Sequence, residues 1–381
     1  MPLRDHMKLI SVDDHLFENA GVWQTRLPQK HKDLGPRMVD DGEHKVWLYE
    51  GTRDKAFKYL STMAGKSPEE YSPEPVRPEE FRPGCLDSGE RVKDMDIDGV
   101  QAQLCFPSYP RFSGTRFLYG KDKELALACV QAYNDFVMDE WCAVAPDRYI
   151  SVIILPLWDV PLAIAETQRM AEGGAKTISF PENTVPLGLP SIHTRHWDPL
   201  FSAIGEVGLP LSIHIGTSGN QPQPSPESSD PARMALSSCN TMALIAEWIF
   251  SHVFHEFPSL KVALSEGGIG WLPYMREKLD YIWDRQKYWS GINKDVRPSE
   301  LMDDHIYGCF IDDIAGIRNR DLIGVGNIMW ESDYPHADTT WPRSRERLGE
   351  LLIDTPDKEA HMIAELNARE LYNFYDDVQN P

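Results

Sequence analysis

Positive charge is scarce along this chain: 38 Lys and Arg stand against 59 Asp and Glu, a formal net charge of −21. Such a balance argues against a nucleic-acid partner and equally against an anionic membrane surface, because both repel an acidic protein. No Lys/Arg cluster overturns that reading. Long apolar runs are also missing. No stretch approaches the roughly 18 apolar residues that a spanning helix needs. The opening Met1-Pro2-Leu3-Arg4-Asp5-His6 holds no apolar signal region, so the expectation is a cytoplasmic protein. The six cysteines, at 85, 105, 129, 142, 239 and 309, form no CxxC pair. They read as reduced core residues rather than as a disulfide framework. A solenoid-type repeat and a low-complexity tail are absent too. What is present is ample material for a core: 41% hydrophobic residues in 381, enough for one large α/β domain or two smaller ones.

The most informative stretch comes early. Leu9-Ile10-Ser11-Val12-Asp13-Asp14-His15-Leu16-Phe17-Glu18 begins inside a short buried strand, 8–12, and runs into acids and a histidine. Side chains alternate along a strand, so Asp13 and His15 point one way and Asp14 the other. A carboxylate and an imidazole side by side at a buried strand end suit a metal site. The following segment, 19–84, is irregular and rich in Pro, Gly and charge. It includes Tyr71-Ser72-Pro73-Glu74-Pro75 and Arg77-Pro78-Glu79-Glu80. It reads as a long lid insertion over the mouth of the site, with one short hairpin around 45–49; loops of this length are functional or disordered.

Strands and helices then alternate. Apolar runs predict strands at 100–106, 149–155, 175–180, 209–213, 260–264, 306–310 and 328–330. Helices are expected at 88–97, 121–145, 160–172, 196–207, 235–254, 272–286, 343–352 and 356–372. Continuous apolar strands signal a parallel sheet buried on both faces. Eight such units suggest an α/β fold, a (β/α)8 TIM barrel forming a single domain over 1–381. A doubly wound sheet normally shows a Gly-rich phosphate turn after its first strand, and none follows here. Barrel enzymes work at the C-terminal strand ends. Here those ends carry Asp13 and His15, Glu182, His214, Glu266 and Asp333.

These motifs resemble a known family. Val12-Asp13-Asp14-His15, Ser212-Ile213-His214-Ile215-Gly216 and Trp330-Glu331-Ser332-Asp333-Tyr334-Pro335-His336, together with the stretch 260–274, look like the amidohydrolase superfamily. Within it they are most similar to the branch of aminocarboxymuconate-semialdehyde and resorcylate-type decarboxylases. The resemblance runs from about residue 8 to 375. It implies a metal-dependent TIM barrel of amidohydrolase type with Asp13, His15, His214 and Asp333 as ligands, and a homodimer. The chain departs from the hydrolytic pattern. Asp13 stands where those enzymes commonly have the first histidine of His-x-His. Glu266 replaces a histidine that many relatives carry after strand six. Glu182, rather than a lysine, ends strand four. The site is therefore rich in carboxylate, which counts against plain amide hydrolysis.

The candidate metal ligands are thus Asp13, His15, Glu18, Glu182, His214, Glu266 and Asp333, and the catalytic candidates Asp333, Glu266 and His336. His214 ends an apolar strand, where an unpaired imidazole would be costly. Glu18 and Glu182 read equally well as acids outside the centre. His336 is placed by its spacing to meet substrate or a second metal. One divalent metal (Zn, Mn or Fe) would serve hydrolysis or decarboxylation of a small, largely apolar organic acid, with Asp333 or Glu266 moving the proton. Two Fe would instead make a non-haem di-iron oxygenase acting on an aromatic or polycyclic acid, because two histidines and four carboxylates match that ligand formula. The aromatics Trp23, Trp47, Tyr49, Phe57, Tyr59, Tyr109, Phe112 and Trp341 suggest an apolar substrate.

Overall fold

The computed structural model describes residues 3–42, 45–55, 61–72 and 80–375. Its barrel strands are Ile10–Leu16, Ala102–Pro107, Tyr149–Ile150 with Val152–Ile153, Thr177–Ser179, Leu211–His214, Val262–Ser265, Ile306–Phe310 and Ile328–Trp330. Each pairs in parallel with its successor. The third is shorter than its apolar run and breaks at Ser151, whose carbonyl accepts from the amides of Lys176 and Thr177. The ring closes without a regular ladder between the last strand and the first. The segment beyond the last strand does it instead. Ser332 N–H donates to Ser11 Oγ and Asp333 N–H to the Asp13 carbonyl, both at 2.8 Å, and His15 N–H donates to the Tyr334 carbonyl at 2.7 Å.

Alternation of side chains divides the core in two. Ile10, Val12, Leu104, Val152, Ala263, Cys309 and Met329 form one cluster with Leu371, Tyr372 and Phe374 from the end of the C-terminal helix and the residues after it. The opposite faces, including Ile153, Ile178, Leu211, Ile213, Val262 and Leu264, pack against the surrounding helices. Sequence signals account for several helix ends. Asp87 caps Ser88–Asp98 by accepting from Glu90 N–H, and Gly99 ends it at φ 72. Asp122 caps Lys123–Phe136 through the amides of Glu124 and Leu125. Three expected helices are less regular than their patterns, the one at 356–372 widening over Met362–Leu366. The one at 121–145 loosens over Val137–Trp141 into a wider turn. The one at 235–254 is split into Asp230–Ala235, Ser238–Ile249 and Val253–Glu256, with Ser251 Oγ accepting from Val253 N–H at the second break. No helix among the described residues is long and apolar enough to cross a membrane.

The insertion after the first strand is more ordered than its composition suggests. In place of one hairpin it contains a three-stranded antiparallel sheet, Arg37–Asp40, Lys45–Tyr49 and Thr52–Lys55. The tight turn between the last two is Glu50-Gly51, both at positive φ, 48° and 77°, as a two-residue hairpin of matching twist requires. Glu50 also accepts from the amides of Lys121 and Asp122, both at 2.7 Å, and so ties the hairpin to the start of Lys123–Phe136. The stretches Pro73-Glu74-Pro75 and Arg77-Pro78-Glu79, and with them Phe57 and Tyr59, lie outside the described residues.

Candidate metal centre

A bulge shapes the first ligand pair. The register against the second strand shifts between Ser11 and Asp14, a device that re-aims side chains at sites. Asp13 and His15 emerge together, as alternation predicts. Asp14 turns away and accepts from Tyr334 N–H at 2.9 Å. His214 arrives from the end of the fifth strand, Glu266 from just after the sixth and Asp333 from just after the eighth. Two of these sit in the left-handed backbone region: Glu266 at φ 54 and Asp333 at φ 58. For residues with a side chain this costs on the order of 1–3 kcal/mol each and concentrates at functional sites.

The side chains converge closely. His15 Nε2 lies 3.5 Å from Asp13 Oδ1 and 3.1 Å from Asp333 Oδ1. His214 Nε2 lies 3.3 Å from Asp13 Oδ2, 3.7 Å from Glu266 Oε2 and 3.3 Å from His15 Nε2. His336 Nδ1 is 2.8 Å from Asp333 Oδ1. Two overlapping groups result, Asp13-His15-His214-Glu266 and His15-Glu266-Asp333-His336, each with its ligand atoms within 4.8 Å of one another. The electrostatics of the bare cluster are unfavourable. Burial, then the nearby carboxylates of Glu331, Glu266 and Asp333, push Asp13 well above the usual carboxylate range. Burial and then Glu266 do the same to Asp333. Burial also opposes ionisation of Glu266, but His214 and His336 outweigh it and hold that carboxyl down at about 2. Burial lowers both His15 and His214, against their charged forms.

This donor set fits a cation. Asp13 is fully buried and neither of its oxygens has a hydrogen-bond partner, a costly state for an ionised group. His214 Nδ1 is 2.7 Å from the Ile215 carbonyl, which fixes that nitrogen as the donor and turns the Nε2 lone pair inward, as in metal-ligating histidines. Oxygen-rich donors with some imidazole suit Mn or Fe as well as Zn.

Two expected ligands are placed elsewhere. Glu18 is buried, but its oxygens accept from the amides of Ser108 and Tyr109 at 3.1 and 2.8 Å. Burial raises it to about 7 against those bonds. Its site is the loop after the second strand. Glu182 accepts from Ser218 Oγ at 3.2 Å, and its amide donates to Thr217 Oγ1, which in turn donates to the His214 carbonyl. It braces the loop that follows His214 and joins neither ligand group. The carboxylate count that pointed to two irons needed one of these acids, so the di-iron formula is not met by the residues brought together.

One residue near the centre escaped the sequence reading. Glu331 is fully buried, and its Oε1 accepts from Glu266 N–H at 3.1 Å, holding that left-handed turn. Its spacing of two from Asp333 was the available signal, the same alternation that joined Asp13 to His15. The aromatics divide. Trp23, Trp47 and Tyr49 are buried in the core, and Trp341 stacks under Arg82 at 4.1 Å. Phe112 belongs to the site: its ring centroid is 4.1 Å from that of His214 and 4.7 Å from that of His15. Phe112 and His336 line both of two adjoining cavities, of about 740 and 370 Å³. Tyr109 lines the larger, while His214, Glu266 and Asp333 line the smaller.

Comparison with known proteins agrees with the barrel fold. A family model described as amidohydrolase matches residues 40–374. The gamma-resorcylate decarboxylase of Rhizobium sp. (strain MTP-10005) is 24% identical over 274 residues, covering 64% of this chain and 76% of that protein. An amidohydrolase crystal structure from Mycobacterium avium subsp. paratuberculosis K-10 superposes with a TM-score of 0.76 at 21% identity, over 97% of this chain and all (100%) of that one. The 5-carboxyvanillate decarboxylase of Novosphingobium aromaticivorans, solved with manganese and 3-methoxy-4-hydroxy-5-nitrobenzoic acid, superposes with a TM-score of 0.64 at 19% identity over 97% of each chain.

Proposed function

The chain belongs to the amidohydrolase family, and from that premise we propose that it removes a carboxyl group, without oxidation, from a hydroxylated aromatic acid. It is a metal-dependent hydrolase or decarboxylase; the choice of decarboxylation and of an aromatic substrate is our reading. The observation that carries it is Phe112 laid against His15 and His214, the two imidazoles that flank buried Asp13 oxygens without a hydrogen-bond partner. An aromatic face beside a cation site suits a flat, anionic ring.

Asp13, His15 and His214 would hold one divalent ion, with Glu266 or Asp333 beside it; manganese in similar proteins supports that choice. When bound, the ion would supply positive charge that attracts and orients the anionic groups of the acid. The protein's own groups do the rest. Phe112 stacks on the substrate ring and keeps water from the two histidines. Asp333, held 2.8 Å from His336 Nδ1, donates its proton to the ring carbon that bears the carboxylate. The bond to that carboxylate then breaks, its electron pair restores the aromatic ring, and CO2 leaves. Acid and proton become arene and CO2, with no oxidant required. His336, partly exposed to the cavity, is placed to return a proton to Asp333.

The test is direct. Protein reconstituted with Mn2+ is offered a panel of hydroxybenzoates and assayed for CO2 and for the matching phenol. Release of both in equal amounts is expected. Hydrolysis of an ester or amide by the same preparation, with no CO2 from any phenolic acid, would overturn the reading.

A further inference from the structure

Glu182 lies outside both ligand groups, yet half of its carboxylate is left without a partner. The residue is buried, 5% exposed. Ser218 Oγ donates to Oε2 at 3.2 Å. Oε1 is buried as well and accepts no hydrogen bond, a costly state for an ionised group. Burial raises the carboxyl to about 7, although Ser218, Gly216 and Asn240 favour its charged form.

This carboxylate lines a further cavity, of about 130 Å³. The cavity borders the two already described, sharing Asn220 with the larger and Asn240 with the smaller. Its size suits one ion with a few waters, at about 30 Å³ for each water. The lining is rich in oxygen and carries no positive charge. Glu182 is joined there by Glu247 and by neutral polar side chains, among them Asn183, Ser191, Ser218 and Asn240. No Lys, Arg or His lines it among the described residues. Glu247 is exposed and already taken by His193 Nε2 at 2.8 Å. Glu182 is therefore the buried charge for which the cavity offers no counter-charge.

We propose that this cavity binds a monovalent metal cation, potassium or sodium, held by Glu182 and neutral oxygens, and that the ion fixes the loop following His214. Oxygen donors without imidazole or thiolate suit a hard cation and disfavour a transition metal. One buried carboxylate balances a single positive charge. The link to the metal centre runs through two hydrogen bonds. Glu182 N–H donates to Thr217 Oγ1 at 2.9 Å, and Thr217 Oγ1 donates to the His214 carbonyl at 2.7 Å. Ser218 Oγ and Asn240 Nδ2 both reach the Asn220 carbonyl, at 3.4 and 2.6 Å, and so draw the same loop over the cavity. The site stands whichever reaction the centre performs.

The experiment compares the Mn2+-loaded full chain in potassium chloride and, at equal ionic strength, in N-methylglucamine chloride, whose organic cation is far larger. Potassium is expected to raise the melting temperature saturably, by about 1–2 °C. It is also expected to tighten Mn2+ binding ~3- to 10-fold, because a loop already fixed presents His214 in its binding position. Glu182→Gln keeps an acceptor for Ser218 and should lose both responses. A second measurement needs no variant: crystals of the wild type soaked in rubidium chloride should show one anomalous peak beside Glu182. Equal behaviour of the wild type in the two salts, survival of the potassium response in Glu182→Gln, or water alone beside Glu182 in the soaked crystals overturns the proposal.

Discussion

Replacing Asp13 by Asn should make the metal-free protein more stable and the metal-loaded protein less so. The carboxylate oxygens of Asp13 and Glu266 lie within 4.8 Å of one another. Two unit charges at that distance repel by about 3.5 kcal/mol at an effective dielectric near 20. Asp13 escapes part of this by holding a proton, since burial and its acidic neighbours raise it. The relief on substitution is therefore smaller, about 1–3 kcal/mol. For a chain this long each kcal/mol moves the melting temperature by roughly 1 °C. Thermal scans in EDTA should show Asp13→Asn melting about 1–3 °C above the wild type. Adding Mn2+ reverses the order, because saturation at ~1,000 times the dissociation constant stabilises the wild type by about 4.1 kcal/mol and the variant by little. An apo variant that melts below the apo wild type, or a wild type that Mn2+ leaves unmoved, would refute the argument that these acids are held together for a cation.

Three further outcomes follow from the same geometry. His214→Ala should purify with little metal and no activity; full metal retention by elemental analysis would sink its ligand role. Phe112→Ala should keep its metal and lose roughly tenfold in kcat/KM toward aromatic acids, the worth of one ring contact, and unchanged kinetics would remove Phe112 from the site. Glu18 is raised to about 7 by burial, so the folded state holds its proton more tightly than the unfolded chain does. Its contribution to stability falls as pH rises from about 4.5 to 7. Relative to Glu18→Gln, the wild type should lose about 2 kcal/mol between pH 5 and pH 8, and a difference that stays constant in denaturant titrations would contradict that.

The barrel was legible because buried parallel strands leave continuous apolar runs, and because the ligand-bearing residues fall where those runs stop. Asp13, His15, His214, Glu266 and Asp333 were found that way, and the structure brings them together. What misled is instructive. Glu18 and Glu182 also end apolar runs, but backbone amides claim both oxygens of Glu18 and the Ser218 hydroxyl claims Oε2 of Glu182. A sequence shows a carboxylate without showing which donors will meet it. Glu331 was passed over because Trp330 and Ser332 on either side gave it no charged company, although it lies under the centre and holds Glu266 in place. The insertion after the first strand was misread for a different reason. Pro, Gly and charge suggested irregular chain, but Trp47 and Tyr49 face inward from a strand whose turn, Glu50-Gly51, is of ordinary hairpin chemistry.

The way the barrel closes also bears on how the protein is made. Asp333 N–H bonds the Asp13 carbonyl, and Tyr334 bonds both Asp14 and His15, across a separation of 320 residues between Asp14 and Tyr334. The two sides of the centre thus come from the first and the last barrel strands, and neither can be set before the eighth strand has been synthesised and has met the first. Contacts of such range are slow to form, since loop closure must precede any gain from them. A nascent or truncated chain would offer the ion only fragments of its binding set. Capture of the metal would therefore report that folding is complete, and the ion would act as a late clasp on a finished ring rather than as a template for it.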